Sequence, residues 1–197
     1  MAGGAAVSKP GVFIDRDGTL LDELGYLTPS SEVKIYPFTA EAITHLDEAG
    51  LPVVVITNQG GIALGLYDHA FVDATHARLG ETLAAAGAPV TAWYYCPHHP
   101  EGKVAEFTQA CGCRKPATGM LVAAADDLDL DLGQSWVVGD QWRDIELAHR
   151  VGARSILVRT GYGSGLEADW PTDIAPPTIV CDDVLAAARH IVESARA

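Results

Sequence analysis

Positive charge is what this 197-residue sequence has least of: 13 lysines and arginines stand against 26 aspartates and glutamates, for a formal net charge of −13. So acidic a chain offers little to a nucleic-acid backbone or an anionic bilayer, which argues against both as partners. An anionic substrate must instead be drawn in by local cations and bound metal. Long apolar runs are missing too. The longest, such as Val53–Ile56 and Trp93–Cys96, have the length of a strand and fall far short of a membrane span. The first residues carry Lys9 and several alanines but no apolar core of signal-peptide length. A cytoplasmic protein is expected, with residues 1–10 a loose tail. Cysteine is scarce, and three of the four (Cys96, Cys111 and Cys113) cluster while Cys181 stands apart. In a reducing compartment such clustering points to metal rather than to disulfides.

What remains is an ordinary folded composition, 48% apolar and 20% charged. The length suits one domain that buries roughly 70% of its unfolded surface. Strand-like runs at Val12–Ile14, Val53–Ile56, Trp93–Tyr95, Trp136–Val138 and Ser155–Val158 alternate with helical patterns at Ala40–Glu48, His69–Ala86, Thr118–Leu128, Trp142–Arg150 and Asp183–Ser194. Gly50 and Gly87 follow helix ends, where a left-handed cap is expected. The alternation predicts an α/β fold: a mostly parallel, Rossmann-like sheet with helices on both faces. No repeat or linker splits the chain, so residues 1–197 read as one capless domain with a loop insertion over 96–116. Trp93, Tyr94 and Tyr95 read as strand core. His45, His69, His76, His149 and His190 read as surface or packing residues without partners.

The chemistry begins at residues 13–20, Phe-Ile-Asp-Arg-Asp-Gly-Thr-Leu. A buried strand that stops at Asp15 and Asp17 places two carboxylates at the carboxyl edge of the sheet, where open α/β sheets bind ligands. The pair repels itself until a cation neutralises it, and hard oxygen donors suit Mg2+. One carboxylate is then free to attack phosphorus. The plain alternative is a capped turn closed by Gly18. Thr57 ends the second strand at the same edge, before Asn58-Gln59-Gly60-Gly61. Its hydroxyl and the following amides could cradle phosphate, or simply cap a helix. Asp140, after Val137-Val138-Gly139, supplies another carboxylate for the same cation, with Asp144 in support. Lys115, oriented by Pro116, adds the positive charge that would neutralise the nucleophile and hold phosphoryl oxygens.

Cys96-Pro-His98-His99-Pro and Cys111-Gly-Cys113 offer a complete tetrahedral donor set for a closed, structural Zn2+. His98 is the expected fourth ligand, with His99 as the substitute. A Cys96–Cys111 or Cys96–Cys113 disulfide, or free thiols, would use the same residues differently. The zinc would pin the loop that delivers Arg114 and Lys115. Cys181 reads as a small apolar residue.

Together these pieces resemble the haloacid dehalogenase (HAD) superfamily of Asp-nucleophile phosphatases. Asp15-Arg-Asp17-Gly-Thr19 is similar to its first motif, Thr57 to its second, Lys115 to its third and Gly139-Asp140…Asp144 to its fourth. The loop Cys-Pro-His-His-Pro-Glu-Gly…Cys-Gly-Cys-Arg-Lys-Pro resembles the D-glycero-D-manno-heptose 1,7-bisphosphate 7-phosphatases more narrowly, and histidinol-phosphate phosphatases share it. The resemblance implies a Mg2+-dependent sugar-phosphate phosphatase that works through an aspartyl-phosphate; a monomer is expected separately, because no exposed apolar stripe stands out in the sequence. Asp15 would be the nucleophile and Asp17 the general acid/base, with Thr57 and Lys115 on the phosphoryl group. Mg2+ would be held by Asp15, the main-chain carbonyl of Asp17, and Asp140. Zn2+ would be held by Cys96, His98, Cys111 and Cys113. Substrate contacts are implied at Glu23, Gly25 and Tyr26 after the first motif. Others are implied at Thr57, Asn58, Gln59 and Gly60, and at Arg114 and Lys115. The chain departs from the heptose pattern at Gly60, where serine is usual, and at Leu64, where arginine is usual, and the second departure bears on bisphosphate preference. Dehalogenation on the same fold needs neither metal nor second acid. A zinc-stabilised phosphate-binding module would release no phosphate.

Overall fold

Strand β1 (Val12–Ile14) is the centre about which the sheet is built, because its three residues are wholly buried and it pairs on both sides. The structure, a computed structural model, describes residues 8–27 and 33–196. Parallel to β1 lie β2 (Val53–Asn58) and β4 (Trp136–Gly139); β3 (Ala92–Cys96), β5 (Arg154–Val158) and β6 (Ile179–Cys181) complete a six-stranded sheet of order β3-β2-β1-β4-β5-β6. All five pairings are parallel. Helices cover both faces, as parallel sheets require. On one face Val12, Ile14, Val53, Val55, Trp136 and Val138 pack under α1 (Thr39–Glu48), α2 (His69–Ala85) and α6 (Val184–Arg196). The alternate residues Phe13, Val54, Ile56 and Val137 face α3 (Gly119–Leu128) and α4 (Trp142–Arg150). That alternation is the two-residue period of an extended chain. Gly50 and Gly87 take φ of 74° and 78° just past α1 and α2, left-handed positions that glycine adopts without strain.

Three expectations need correction. Among the described residues the sheet has six strands, not five: β6 gives no clear signal because it is three residues long, partly exposed, and follows the proline-containing stretch Pro171–Pro177. It carries Cys181. A short helix α5 (Gly163–Ala168) was missed as well. Strand β3 is an edge strand, half-buried rather than core, so Tyr94 and Tyr95 turn their hydroxyls to Asp127 and Asp73 at 2.7 and 3.1 Å. Residues 1–7 lie outside the described residues. Of the expected loose tail, residues 8–10 are anchored: Lys9 bridges to Leu130, and Asp131 N donates to Lys9 O at 2.9 Å. Among the described residues no helix is long and apolar enough to cross a membrane.

In this strand order the winding of the sheet reverses between β1 and β4, strands being added outward on one side and then on the other. The crevice beyond their carboxyl ends is the switch point at which such sheets hold ligands.

Candidate active site

Asp15 leaves β1 beside β4, its N–H donating to Val138 O at 2.9 Å. Asp140 follows β4 directly, so the register that pairs Ile14 with Val138 sets the two carboxylates side by side. Asp144 joins them from the first turn of α4, where it forms a capping box with Gln141 and accepts from Gln141 N at 3.1 Å. Lys115 Nζ sits 2.8 Å from Asp15 Oδ1 and 2.7 Å from Asp144 Oδ1, and donates to Ile56 O at 3.1 Å. The ammonium is thus ion-paired to two acids and hydrogen-bonded to one main-chain carbonyl. Burial disfavours the charge, but Asp144 and Asp15 outweigh it and hold the amine above the ordinary lysine pKa. Asn58 fixes this segment: its Oδ1 accepts from Lys115 N at 2.9 Å, and its Nδ2 donates to Lys115 O at 3.2 Å.

Three buried acids thus face one buried lysine. Burial, with Asp144 and Asp17 adding repulsion against the pull of Lys115, raises Asp15 to about 7. Burial and the charges of Asp15 and Asp144 raise Asp140 to about 8. Asp140 Oδ2 accepts from Tyr162 N at 2.9 Å, whereas its Oδ1 is buried with no partner among the described residues. Donor atoms of Asp15, Asp140 and Asp144 lie within 4.8 Å of one another. Surplus negative charge and an orphaned oxygen are what a hard divalent cation would satisfy. Asp144 has both oxygens occupied, one by Lys115 and one by the main chain, so Asp15 and Asp140 are the acids left to bind it.

Asp17 points elsewhere. Its carboxylate takes a fork from Arg16, Nη2 lying 3.0 and 2.9 Å from the two oxygens and Nε 3.2 Å from Oδ1. Thr57 Oγ1 and Gln59 Nε2 donate to Oδ2 at 3.3 and 3.0 Å. With its side chain so occupied, Asp17 can offer a cation only its main-chain carbonyl. Gln59, expected among the substrate contacts, is instead buried behind Asp17; its main-chain N–H is spent on Cys96 O at 2.8 Å, and its Oε1 accepts from Tyr67. Several of the histidines expected to lack partners have them. His69 meets Tyr95 Oη at 2.8 Å, His149 meets Ser155 at 3.2 Å, and buried His76 meets Arg16 Nη1 at 3.0 Å.

A pocket of about 250 Å3 opens over the acids. Asp15, Asp17, Thr57, Asn58, Gly60 and Lys115 line it, together with Glu23, Gly25, Tyr26 and Arg114, all expected from the sequence. Gln141, Arg143 and Tyr162 also line it and were missed. Arg143 lies near the Trp142 ring, and its Nε is buried without a partner among the described residues. Its position one residue before Asp144, on the first turn of α4, was the available signal.

The cysteine cluster is closed. Cys96, Cys111 and Cys113 sulfurs lie 3.0 to 3.5 Å apart, and His98 Nδ1 lies 3.7 Å from Cys96 and 3.3 Å from Cys113. A tetrahedral zinc site has edges of about 3.8 Å between sulfurs, slightly longer than these, so the four donors surround one point and would hold one ion after spreading by a few tenths of an ångström. No cysteine among the described residues is in a disulfide. His98 reaches the cluster; His99 turns to accept from Glu101 N at 3.1 Å.

A family model described as HAD-hydrolase-like matches residues 112–187. The D-glycero-D-manno-heptose-1,7-bisphosphate 7-phosphatase of Thermosynechococcus vestitus is 42% identical over 93% of this chain and 95% of its own. The chain belongs to this phosphatase family, within the HAD-like hydrolases. The Escherichia coli K12 relative of the family, a D-glycero-beta-D-manno-heptose-1,7-bisphosphate 7-phosphatase, is 39% identical over 85% of this chain and 88% of its own. The family's D,D-heptose 1,7-bisphosphate phosphatase from B. bronchiseptica, solved with magnesium and phosphate, superposes with a TM-score of 0.83 at 33% identity, covering 94% of this chain and 99% of that one. Members of this family are phosphoric monoester hydrolases, and the fold expected from the motifs is the fold observed.

Proposed function

We propose that the chain removes the 7-phosphate of D-glycero-D-manno-heptose 1,7-bisphosphate, with Mg2+, through an aspartyl-phosphate on Asp15. One observation carries the reading: a lysine-paired carboxylate at the β1/β4 switch point, beside a second acid with an orphaned buried oxygen, under a pocket that also holds Asp17. Asp15 and Asp140, with the Asp17 carbonyl, would hold Mg2+, which supplies charge neutralisation at the phosphoryl oxygens. Cys96, His98, Cys111 and Cys113 would hold a structural Zn2+.

Asp15 Oδ1 is oriented by Arg16 N at 2.7 Å and by Lys115, while Oδ2 has no protein hydrogen bond among the described residues. In the first step an Asp15 oxygen attacks phosphorus, the bond from phosphorus to the sugar oxygen breaks, and Asp17 gives that oxygen a proton. In the second, Asp17 as carboxylate takes a proton from water, the water oxygen attacks the acyl phosphate, and Asp15 leaves with inorganic phosphate released. Lys115 holds its charge beside Asp15 throughout. Arg114 and Arg143 line the pocket, have no carboxylate within ion-pairing distance among the described residues, and would meet the substrate's other phosphate.

The purified protein, given the 1,7-bisphosphate and Mg2+, is expected to release one phosphate and leave the 1-phosphate, read by phosphorus NMR. Asp15→Asn is expected to abolish release, and sustained turnover by that variant would refute Asp15 as nucleophile. Higher kcat/KM on histidinol phosphate would move the assignment to that substrate.

A further inference from the structure

Two polar chains converge on the Asp17 carboxylate from behind, and both begin at side chains that line no part of the substrate pocket. The first runs through Arg16, whose side chain is fully buried although it stands between two aspartates in a loop. Its fork holds Asp17, and its Nη1 meets His76 Nε2 at 3.0 Å. His76 comes from α2 and stacks on Trp93 of β3, ring centroids 4.8 Å apart and planes 28° apart. Burial and the adjacent guanidinium push the imidazole down to about 3, so it is neutral and accepts the Arg16 proton. The second chain runs through Gln59. Tyr67 Oη donates to Gln59 Oε1 at 2.9 Å, which orients the amide so that Nε2 donates to Asp17 Oδ2 at 3.0 Å and to Thr57 Oγ1 at 2.8 Å. Tyr67 is itself wedged against Gly61, where an added Cβ would strike the ring.

Burying an arginine is costly unless each donor is matched, and a buried arginine matched to one carboxylate and one histidine is a directed arrangement.

We propose that His76 and Tyr67 are positioning residues for Asp17, acting through Arg16 and Gln59 to hold its carboxylate at the angle that serves proton transfer. The proposal rests on the assignment of Asp17 as general acid/base. Two independent arms explain why Asp17, on a loop just past a three-residue strand, can be a precise proton donor and acceptor. A carboxylate free to rotate would forfeit much of the 10²- to 10⁴-fold (roughly) that general acid–base catalysis supplies. The arms also hold Asp17 off Asp15, so the cation site sees its main chain and not its side chain.

The test is a double-mutant cycle on phosphate release with Mg2+ present. His76→Phe keeps the stack on Trp93 and removes the acceptor, and Tyr67→Phe removes one hydroxyl. Each is expected to lower kcat about tenfold with KM changed less than about twofold, a split expected when only transition-state proton transfer is disturbed. His76→Gln, which restores an acceptor, is expected to recover most of the loss. In an Asp17→Asn background neither His76→Phe nor Tyr67→Phe is expected to lower the residual rate further, because the group they position has gone. Wild-type kcat in both single variants, or an equal loss in the Asp17→Asn background, would overturn the proposal. Tyr67→Phe decides alone if His76→Phe does not fold. If Asp17→Asn were itself fully active, the acid/base assignment would fail first and visibly, separately from the positioning claim.

Discussion

Single residues in this protein act by what they leave room for as much as by what they touch. Gly161 has φ +56°, and a Cβ there would lie 2.1 Å from Asp140 Oδ2 and 2.8 Å from Gly18 Cα. Gly161→Ala therefore pairs a left-handed strain of about 1–2 kcal/mol with a clash against the acid proposed to hold the cation. It is expected to raise the Mg2+ concentration for half-maximal activity at least tenfold, measured by metal titration of turnover. At the other side of the pocket, Arg143 presents an unpartnered buried Nε. A charge-assisted hydrogen bond to phosphate is worth roughly 1.5–3 kcal/mol. Arg143→Ala is thus expected to raise KM for the bisphosphate by about ten- to a hundredfold, and to leave KM for a monophosphate within about threefold, measured by steady-state kinetics on both. Asp15, Thr57, Lys115 and Asp140 were legible as residues because each ends a strand or precedes a proline-fixed turn. Gln59 was not: the same short loop can aim an amide at substrate or back at Asp17, and only the hydrogen bond from Tyr67 decides which.

At the scale of elements, the loop from Cys96 to Lys115 is the part least like the rest of the fold. It has little regular structure beyond one 3₁₀ turn, Ala105–Phe107, yet it ends two residues past Cys113 in the lysine that neutralises Asp15. A closed tetrahedral site would replace the missing hydrophobic core of that loop. Native protein is expected to contain about one zinc per chain by elemental analysis. Cys113→Ser is expected to lose it, to lower the melting temperature, and to reduce kcat more than tenfold as Lys115 loses its fixed approach. Zinc-free wild-type protein at full activity would contradict this. The elements themselves were read well wherever an apolar period ran for several residues, as in α6 and β2. They were read poorly at β6 and α5, whose few residues give no period to detect and whose existence depends on β5 and Val158 to pair with or pack against.

For the whole molecule, the decisive quantity is the charge gathered at the switch point. Asp15 and Asp140 are held above their unfolded pKa values, to about 7 and about 8, so between about pH 4 and 8 these two acids bind more protons in the metal-free folded protein than in the unfolded chain, outweighing the one proton that buried His76 gives up at the acid end. Stability without Mg2+ is then present at the acid end of that window and falls as pH rises through it. A cation that binds only the folded, ionised acids reverses the trend. The rise in melting temperature on saturation with Mg2+ is expected to be several degrees near about pH 8.5 and close to zero near about pH 5, read by thermal denaturation in both buffers. A shift independent of pH would show that these carboxylates are not the binding groups.

Local sequence, by itself, determined the alternation of strands and helices, the edge of the sheet at which the acids emerge, and the family, because apolar periodicity and the residues that end each strand are properties of short segments. Tertiary structure decided which way the side chains past those strand ends turn. Asp17 faces Arg16, Thr57 and Gln59 rather than Asp15, His76 reaches the first-motif loop from α2, and Arg143 joins the pocket from α4. The contacts of Asp17 with Thr57 and Gln59, and of His76 with Arg16, each join a donor to an acceptor across tens of residues of chain, and only packing the helices onto the sheet brings such partners, and Arg143, to the site.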